Sequence, residues 1–151
     1  MAVRDANRDD IPQIVTMIED FYAEANFKTP EVNRDKTRYV LKALIDHIGV
    51  RTHVKVIDMS GHLVGLTLGE RITDLFSDAD KALEIMLYVH PSFRGGVSAG
   101  KLMLSFAAWT KLLPSTVRVE ASHGVEDEQA KKIFAKLGWE PRGTLHGSEP
   151  Y

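Results

Sequence analysis

The sequence predicts one domain of mixed α and β structure. Hydrophobic residues recur at helical spacing in some segments and at every second position in others, in the order β-α-α-β-β-β-α-β-α-β. The length of 151 residues suits one domain, and no repeat, low-complexity tract or linker marks a boundary within residues 1–151. This order fits neither a Rossmann repeat nor a helix bundle.

The composition excludes several classes of protein. The net charge of −2 gives no strong signal for nucleic acid or anionic lipid as a partner. The sequence has no cysteine, which rules out disulfides, thiolate nucleophiles and cysteine-ligated zinc. The six histidines have no metal-ligand spacing, so no metal is expected. No apolar run has the length of a signal peptide or a membrane span, and we therefore expect a cytoplasmic protein.

The first three elements are a short strand and two helices. Residues 2–5 are predicted to form the strand, and Asp9 and Asp10 to open the first helix, with Pro12 in its first turn. The second helix begins after a capping residue, for which both Asn33 and Asp35 qualify. Gly49 is expected to end it, because glycine adopts the backbone conformation that terminates helices.

A hairpin and a central strand are predicted next. Residues 53–59 and 63–70 alternate apolar and polar side chains around a Ser-Gly turn, with His53 on the polar side. Residues 71–81 form a polar connection. Residues 82–89 are almost continuously apolar, as expected for a strand that is buried on both faces.

The remaining elements follow a glycine-rich turn. They are predicted as a helix that ends at Leu113, a strand at 116–121, a helix at 126–137 closed by Gly138, and a short final strand at 144–147. The turn itself lies between a buried strand and a helix. Its backbone N–H groups and the positive end of the helix dipole could hold a phosphate, with help from the Arg94 side chain. The alternative is that Gly95 and Gly96 only permit a sharp turn.

Two motifs carry a resemblance to a known family. Residues 89–103, VHPSFRGGVSAGKLM, resemble the acetyl-CoA signature of the GNAT N-acetyltransferases, in which a strand, a glycine-rich turn and a helix follow one another. Residues 130–139, AKKIFAKLGW, resemble the end of a later helix in the same family. The Arg-Gly-Gly variant of the turn is also similar to a branch found in bacteriophage and bacterial genomes.

The resemblance implies a fold and a cofactor site. The fold is a central, mostly antiparallel, splayed sheet flanked by helices, and the co-substrate is acetyl-CoA. The strand end would pair with the pantetheine arm through Leu87, Tyr88 and Val89. The pyrophosphate would lie on the amides of Arg94, Gly95, Gly96, Val97, Ser98, Ala99 and Gly100. Asp127 and Phe134 occupy the cofactor-side positions of the later helix.

The acceptor amine would enter from the other side of the splay, beside the first two helices and the 71–81 connection. The resemblance also suggests a homodimer, which is common in the family. Asp74, Asp78 and Asp80 make the connection acidic, which suits a cationic amine, although surface aspartates are usually just solvated. The acceptor is either a small molecule or a protein amine.

The chain departs from the family at two positions. Val97 stands where glycine is usual, and Phe134 stands where most members have the tyrosine that reprotonates the CoA thiolate. Phenylalanine has no proton to donate. Two functions are therefore predicted: an acetyl-CoA-dependent N-acetyltransferase that acts by direct attack in a ternary complex, or a weak or inactive module of the same fold that binds CoA or a protein.

Candidates for acid–base chemistry lie on the central strands. Amine acetylation needs a base, because a protonated amine cannot attack a thioester. Glu84 is the leading candidate, and Tyr88, which shares its strand phase, is a possible acid. Glu70 is the second candidate for the base, and Glu120 the weakest. Each residue could instead have a purely structural role, as a hydrogen-bonded carboxylate or a packed tyrosine.

Overall fold

The computed structural model describes residues 1–25, 31–114, 118–120 and 127–143. The strands are β1 (Ala2–Asp5), β2 (Thr52–Met59), β3 (His62–Thr73), β4 (Asp80–Val89) and β5 (Arg118–Glu120). The helices are α1 (Ile11–Glu24), α2 (Arg34–Asp46), α3 (Ser98–Thr110) and α4 (Asp127–Lys136), with short 3-10 turns at Arg8–Asp10 and Pro91–Phe93. This order confirms the predicted one as far as α4. The predicted final strand at 144–147 lies outside the described residues.

The strands form one sheet in the order β1-β2-β3-β4-β5. Antiparallel pairing joins β1 through β4, and β5 runs parallel to β4. Among the described residues, β5 pairs only with the start of β4, where 81–83 face 118–120. The sheet is therefore mostly antiparallel, as predicted, and described pairing along the outer edge of β4 stops well before Val89.

The helix ends follow the local sequence. The Asn7 side chain accepts a hydrogen bond from Asp9 N, and Asp10 completes a capping box. For α2 the cap is Asn33, whose side chain accepts from Lys36 N, and not Asp35. The helix ends at Asp46, three residues before Gly49, which still turns the chain with a φ of 116°.

Helices cover both faces of the sheet. On the first face, α1 and α2 pack their apolar side chains against β2, β3 and β4; this core includes Ile14, Val15, Ile18, Leu41, Leu44, Val54, Val56, Leu66, Leu68, Met86 and Tyr88. On the second face, Met103, Phe106 and Trp109 of α3 pack on Ala82. Part of α4 joins this second core. No helix in the described ranges is long and apolar enough to cross a membrane.

The second helical layer overturns one prediction about β2. His53 was expected on a polar face, but it is buried, with a side chain between Phe106 and Trp109. The alternating pattern predicts that one face of β2 is exposed to solvent, but α3 packs on that face. The connection after β3 is also shorter than predicted. The β3 strand continues to Thr73 and β4 starts at Asp80, because the polar residues there pair with each other across the hairpin.

A register shift interrupts the pairing of β3 with β4. Leu68 lies opposite Met86 and Gly69 lies opposite Glu84, so Ile85 is the extra residue of a β-bulge. The prediction that 82–89 is buried on both faces is wrong at this point, because the Ile85 side chain is 47% exposed. One inserted residue also reverses which side chains point to which face beyond it.

Candidate active site

The turn between β4 and α3 offers backbone amides to solvent. The chain reverses with Gly95 at a φ of 84°, a conformation that favours glycine. Val97 precedes α3 and its side chain cannot cap the first N–H groups of the helix. A Cβ placed on Gly96 or Gly100 would meet no atom within 4 Å, so this surface is open. These features suit an anion held against the helix N-terminus.

Val97 does not crowd this turn. Its side chain is 61% exposed and points away from the core. Replacing the family's usual glycine by valine therefore requires no room in the core. A valine amide donates a hydrogen bond as a glycine amide does, because both carry one backbone N–H.

The end of β4 presents backbone groups on its outer edge. His90, which directly follows β4, donates from its backbone N to Val64 O of β3 at 2.9 Å, so His90 and Val64 form a hydrogen-bonded pair of the β3–β4 ladder. In an antiparallel ladder such pairs alternate with pairs whose peptide groups point away. Leu87 and Val89 occupy the alternate positions, so their peptide groups face the side on which β5 would lie.

Arg94 fastens the turn to the strand and to α1. Its Nε donates to Val89 O at 2.7 Å, and its Nη2 forms an ion pair with Glu24 near the end of α1. The guanidinium carbon lies 5.6 Å from the ring centroid of Tyr88. The prediction placed Arg94 on a phosphate, whereas here it joins three elements.

Tyr88 is buried on the face covered by α1. Burial raises its pKa above the ordinary value of 10, and the carboxylates of Asp20 and Glu24 add to the shift. The phenol therefore keeps its proton throughout the neutral range. A protonated hydroxyl is what a general acid needs.

The later helix contributes an apolar surface. Phe134 stacks on Trp139 with ring centroids 5.9 Å apart and joins the core formed with α3. Phe134 thus has a packing partner in the place where the family's tyrosine would offer a hydroxyl. Asp127 is the first residue of α4, and its side chain lies outside the described part of the structure.

A cavity lies between α1, α2 and the sheet, on the first face. Its volume is about 410 Å³. The floor consists of Leu68 and Glu70 of β3 with Ile85 and Met86 of β4, and residues 31–44 form one wall. The position beside the first two helices agrees with the side on which the acceptor was expected.

The bulge separates the two predicted acid–base residues. Glu84 and Tyr88 were expected on one face. Glu84 instead lies beside Gly69, whose Cβ position meets Phe106 of α3, so Glu84 belongs to the second face. Tyr88 belongs to the first. Glu84 is buried and does not line the cavity, whereas Glu70 does.

The aspartates of the β3–β4 hairpin are largely neutralised. Asp80 pairs with Arg71 at 2.6 Å, and Asp74 pairs with Lys81 at 3.4 Å and accepts from two backbone amides. These amides and Lys81 hold the pKa of Asp74 below its ordinary value. None of the three aspartates lines the cavity, so the expected acidic approach does not come from them. Within the described residues, no group of three or more His, Asp or Glu side chains could hold a metal.

Comparisons with solved structures identify the fold. The ribosomal-protein-alanine N-acetyltransferase of Brucella melitensis superposes with a TM-score of 0.76 at 18% identity, covering 96% of this chain and 88% of that one. The glucosamine-6-phosphate N-acetyltransferase of Arabidopsis thaliana gives 0.74 at 12% identity, covering 99% and 98%. This chain has the GNAT N-acetyltransferase fold.

A third structure with the GNAT fold carries a cofactor-like ligand. The aminoglycoside N-acetyltransferase AAC(6')-Iy, bound to a bisubstrate analogue of CoA and acetylneamine, superposes with a TM-score of 0.73 at 14% identity, covering 99% of this chain and 97% of that one. No family model matches this sequence, and no curated protein sequence matches it. The likeness is therefore one of fold, and the resemblance noted in residues 89–103 and 130–139 lies within it.

Proposed function

We propose that the protein is an N-acetyltransferase that transfers acetyl from acetyl-CoA to a primary amine. The observation that carries the proposal is the edge of β4 beyond Leu83, along which no described residue pairs; this edge leads into the N-terminus of α3, which has no side-chain cap. In a chain of the GNAT fold, this is the arrangement to which an acyl-CoA would bind. The cavity on the first face then serves the amine, so that both substrates are held together.

The residues present fit acetyl-CoA. The peptide groups of Leu87 and the N–H of Val89 face the outer edge of β4 and can pair with the amides of a pantetheine arm, while Val89 O accepts from Arg94 Nε. The N–H groups of 95–100 can donate hydrogen bonds to the pyrophosphate, because no side chain blocks Gly96 or Gly100; Arg94 N already donates to Pro91 O. We assign Arg94 a supporting role, since its guanidinium already holds the turn against Val89 O and Glu24.

The chemistry needs a base and a proton donor. The base removes one proton from the ammonium group, and the amine nitrogen bonds to the acetyl carbon. The carbon–sulfur bond then breaks, and the nitrogen loses a second proton to solvent to give the amide. The sulfur leaves as a thiolate and then takes up a proton. We assign the base to Glu70, because it lines the cavity, and the proton donor to Tyr88, because its phenol is protonated and lies on the same face. Glu84, the leading candidate for the base from the sequence, lies on the opposite face of the sheet, and a Glu84 variant therefore serves as the control for a Glu70 variant.

Isothermal titration with acetyl-CoA, with CoA as the control, is the first test. We expect a dissociation constant on the order of micromolar, which corresponds to about −8 kcal/mol. Release of CoA in the presence of an amine then measures transfer. Absence of binding at about millimolar acetyl-CoA, where a free energy of only −4 kcal/mol or so would still register, would refute the enzyme proposal.

A second candidate function is a CoA-binding module without catalysis. Phe134, packed against Trp139, favours it, because the family's usual acid is missing there. Binding of acetyl-CoA without acetyl transfer to any amine tested would favour this candidate. A cytoplasmic location, a homodimer and kinship with the bacteriophage branch stay predictions from the sequence.

A further inference from the structure

The cavity beside α2 collects apolar surface that the fold leaves unburied. Tyr22, Val40 and Ile85 are 37%, 42% and 47% exposed, and all three line this one cavity. They come from α1, α2 and the β4 bulge, so three separate elements bring them together. Side chains of this kind are usually buried or scattered singly, and their convergence in a concave site indicates a ligand.

The polar groups in the lining are few. Among the fourteen lining residues that the structure describes, nine are apolar or aromatic and one, the exposed Lys36, is a cation. The polar residues of the described lining are Glu31, Asn33, Lys36, Thr37 and Glu70. A sugar would place its other hydroxyls against apolar side chains, at a cost of about 1–3 kcal/mol for each one left without a partner. A phosphorylated sugar would need a cluster of cations, and the described part of the lining supplies Lys36 alone.

One carboxylate stands at the floor. Glu70 is half-buried, next to the apolar side chains of Leu68 and Met86. In the described part of the chain its carboxylate forms no ion pair or hydrogen bond. A half-buried anion without a cation attracts a positively charged head group, and screening by salt is weaker there than on the open surface.

We propose that the acceptor is a small primary amine on an apolar stem, with the ammonium group at Glu70 and the stem against Tyr22, Val40 and Ile85. This proposal rests on the proposed function for the fate of the amine, although the binding itself does not require acetyl-CoA. It separates this chain from the structural neighbours named for an aminoglycoside and for glucosamine 6-phosphate. A volume of about 410 Å³ is within the range of sites for small ligands.

A series of linear amines tests the stem. Titration of the protein with propylamine, butylamine, pentylamine and hexylamine should show affinity rising about fourfold per methylene. The same series should raise kcat/KM in the presence of acetyl-CoA, and glucosamine 6-phosphate and neamine should be poor acceptors. Affinity that does not change with chain length, or preferential acetylation of either sugar, would overturn the proposal while leaving N-acetyltransferase activity intact.

Paired variants test the walls and the floor. Val40→Thr combined with Ile85→Thr adds two hydroxyls to the walls, with the shape kept at 40 and one carbon lost at 85, and should weaken hexylamine binding about tenfold. Val50→Thr, at a position that is 68% exposed and outside the cavity, is the matched control. Glu70→Gln should weaken hexylamine but leave the neutral hexan-1-ol unchanged. Equal loss of both ligands would contradict the role given to the charge.

The two proposals fail in different ways. Hexylamine binding that depends on Val40 and Ile85, in a protein that does not bind acetyl-CoA, supports this ligand class and refutes the enzyme. Acetyl-CoA binding with no amine binding to the cavity refutes this inference alone. Binding of acetyl-CoA, measured for each variant, is expected to stay unchanged, because none of the four substituted residues lies on the turn before α3 or at Leu87 to Val89.

Discussion

Ile85 and Met86 are neighbours in the sequence, yet both side chains line the same cavity. Successive residues of a regular strand point to opposite faces. The bulge opposite Leu68 and Gly69 removes that alternation, since Ile85 has no partner of its own on β3. It also sends Glu84 and Tyr88 to opposite faces, which decides which carboxylate can serve the cavity.

The first prediction compares two glutamates. Glu70→Gln should lower kcat/KM for amine acetylation about 100-fold, because the base is lost while the amide keeps the shape of the side chain. Glu84→Gln should change kcat/KM far less, since this residue lies across the sheet from the cavity. The measurement is initial rate of CoA release at several pH values.

The opposite ranking would be informative. If Glu84→Gln removes activity and Glu70→Gln does not, the amine enters from the second face and the cavity has another use. The free energy of unfolding of both variants should first be shown to lie within about 1 kcal/mol of the parent value, because a loss of folding would imitate a loss of catalysis.

The elements were predictable because their signals are local. Periodicity gave α1, α2 and α3, and the Ser60-Gly61 turn, with positive φ at both residues, joins β2 to β3 as predicted. Asn33 competed with Asp35 for the α2 cap, and only the geometry of the helix start selects between them.

The site was less predictable because it depends on two non-local facts. A bulge shifts the phase of a strand by one residue, and the sequence 80–89 has no glycine or proline to mark it. The burial of His53 depends on α3, which lies about 50 residues later and covers β2. Glu70 was identified only as a second candidate, because nothing local to it reveals the cavity.

The second prediction concerns the turn before α3. Gly96→Ala should leave stability almost unchanged, since its Cβ would meet no atom within 4 Å and its φ is not positive. If pyrophosphate approaches the backbone here, the added methyl group should weaken acetyl-CoA binding about tenfold. Titration calorimetry with dephospho-CoA as a second ligand provides the comparison, because it retains the pyrophosphate. Unchanged affinity for both ligands would move the phosphate site away from Gly96.

The third prediction concerns the contact between Gly69 and Phe106. A Cβ on Gly69 would lie 2.5 Å from Phe106 Cε2 and 3.2 Å from Leu83 O, so the ring must move. Gly69→Ala should therefore destabilise the fold by about 2 kcal/mol in urea unfolding. The added cost should shrink in a Phe106→Leu background, because the smaller side chain leaves room. Costs that simply add would mean that Phe106 is not the obstacle.

The last prediction concerns His53 and pH. Its ring is 2% exposed, and burial lowers its pKa to about 4 from the ordinary 6.5, with Lys55 adding to the shift. Ser105 Oγ donates to Leu102 O at 2.6 Å, so it accepts from His53 Nε2 at 3.3 Å, and the neutral ring carries its proton on Nε2. Protonation would place an uncompensated charge between two aromatic rings.

The unfolded chain binds a proton at His53 below pH 6.5, whereas the folded protein does so only near pH 4. The contribution of neutral His53 to the free energy of unfolding is therefore fully present above pH 6.5 and is lost as the pH falls toward 4. Between pH 7.5 and pH 5 the free energy of unfolding should fall by about 2 kcal/mol. Carboxyl groups whose pKa is lowered on folding, such as Asp10, change stability mainly near and below their ordinary pKa of 3.8, so they add little to the slope between pH 7.5 and pH 5. Urea unfolding of His53→Phe should show little of this slope, and an equal slope in both proteins would mean that another group titrates.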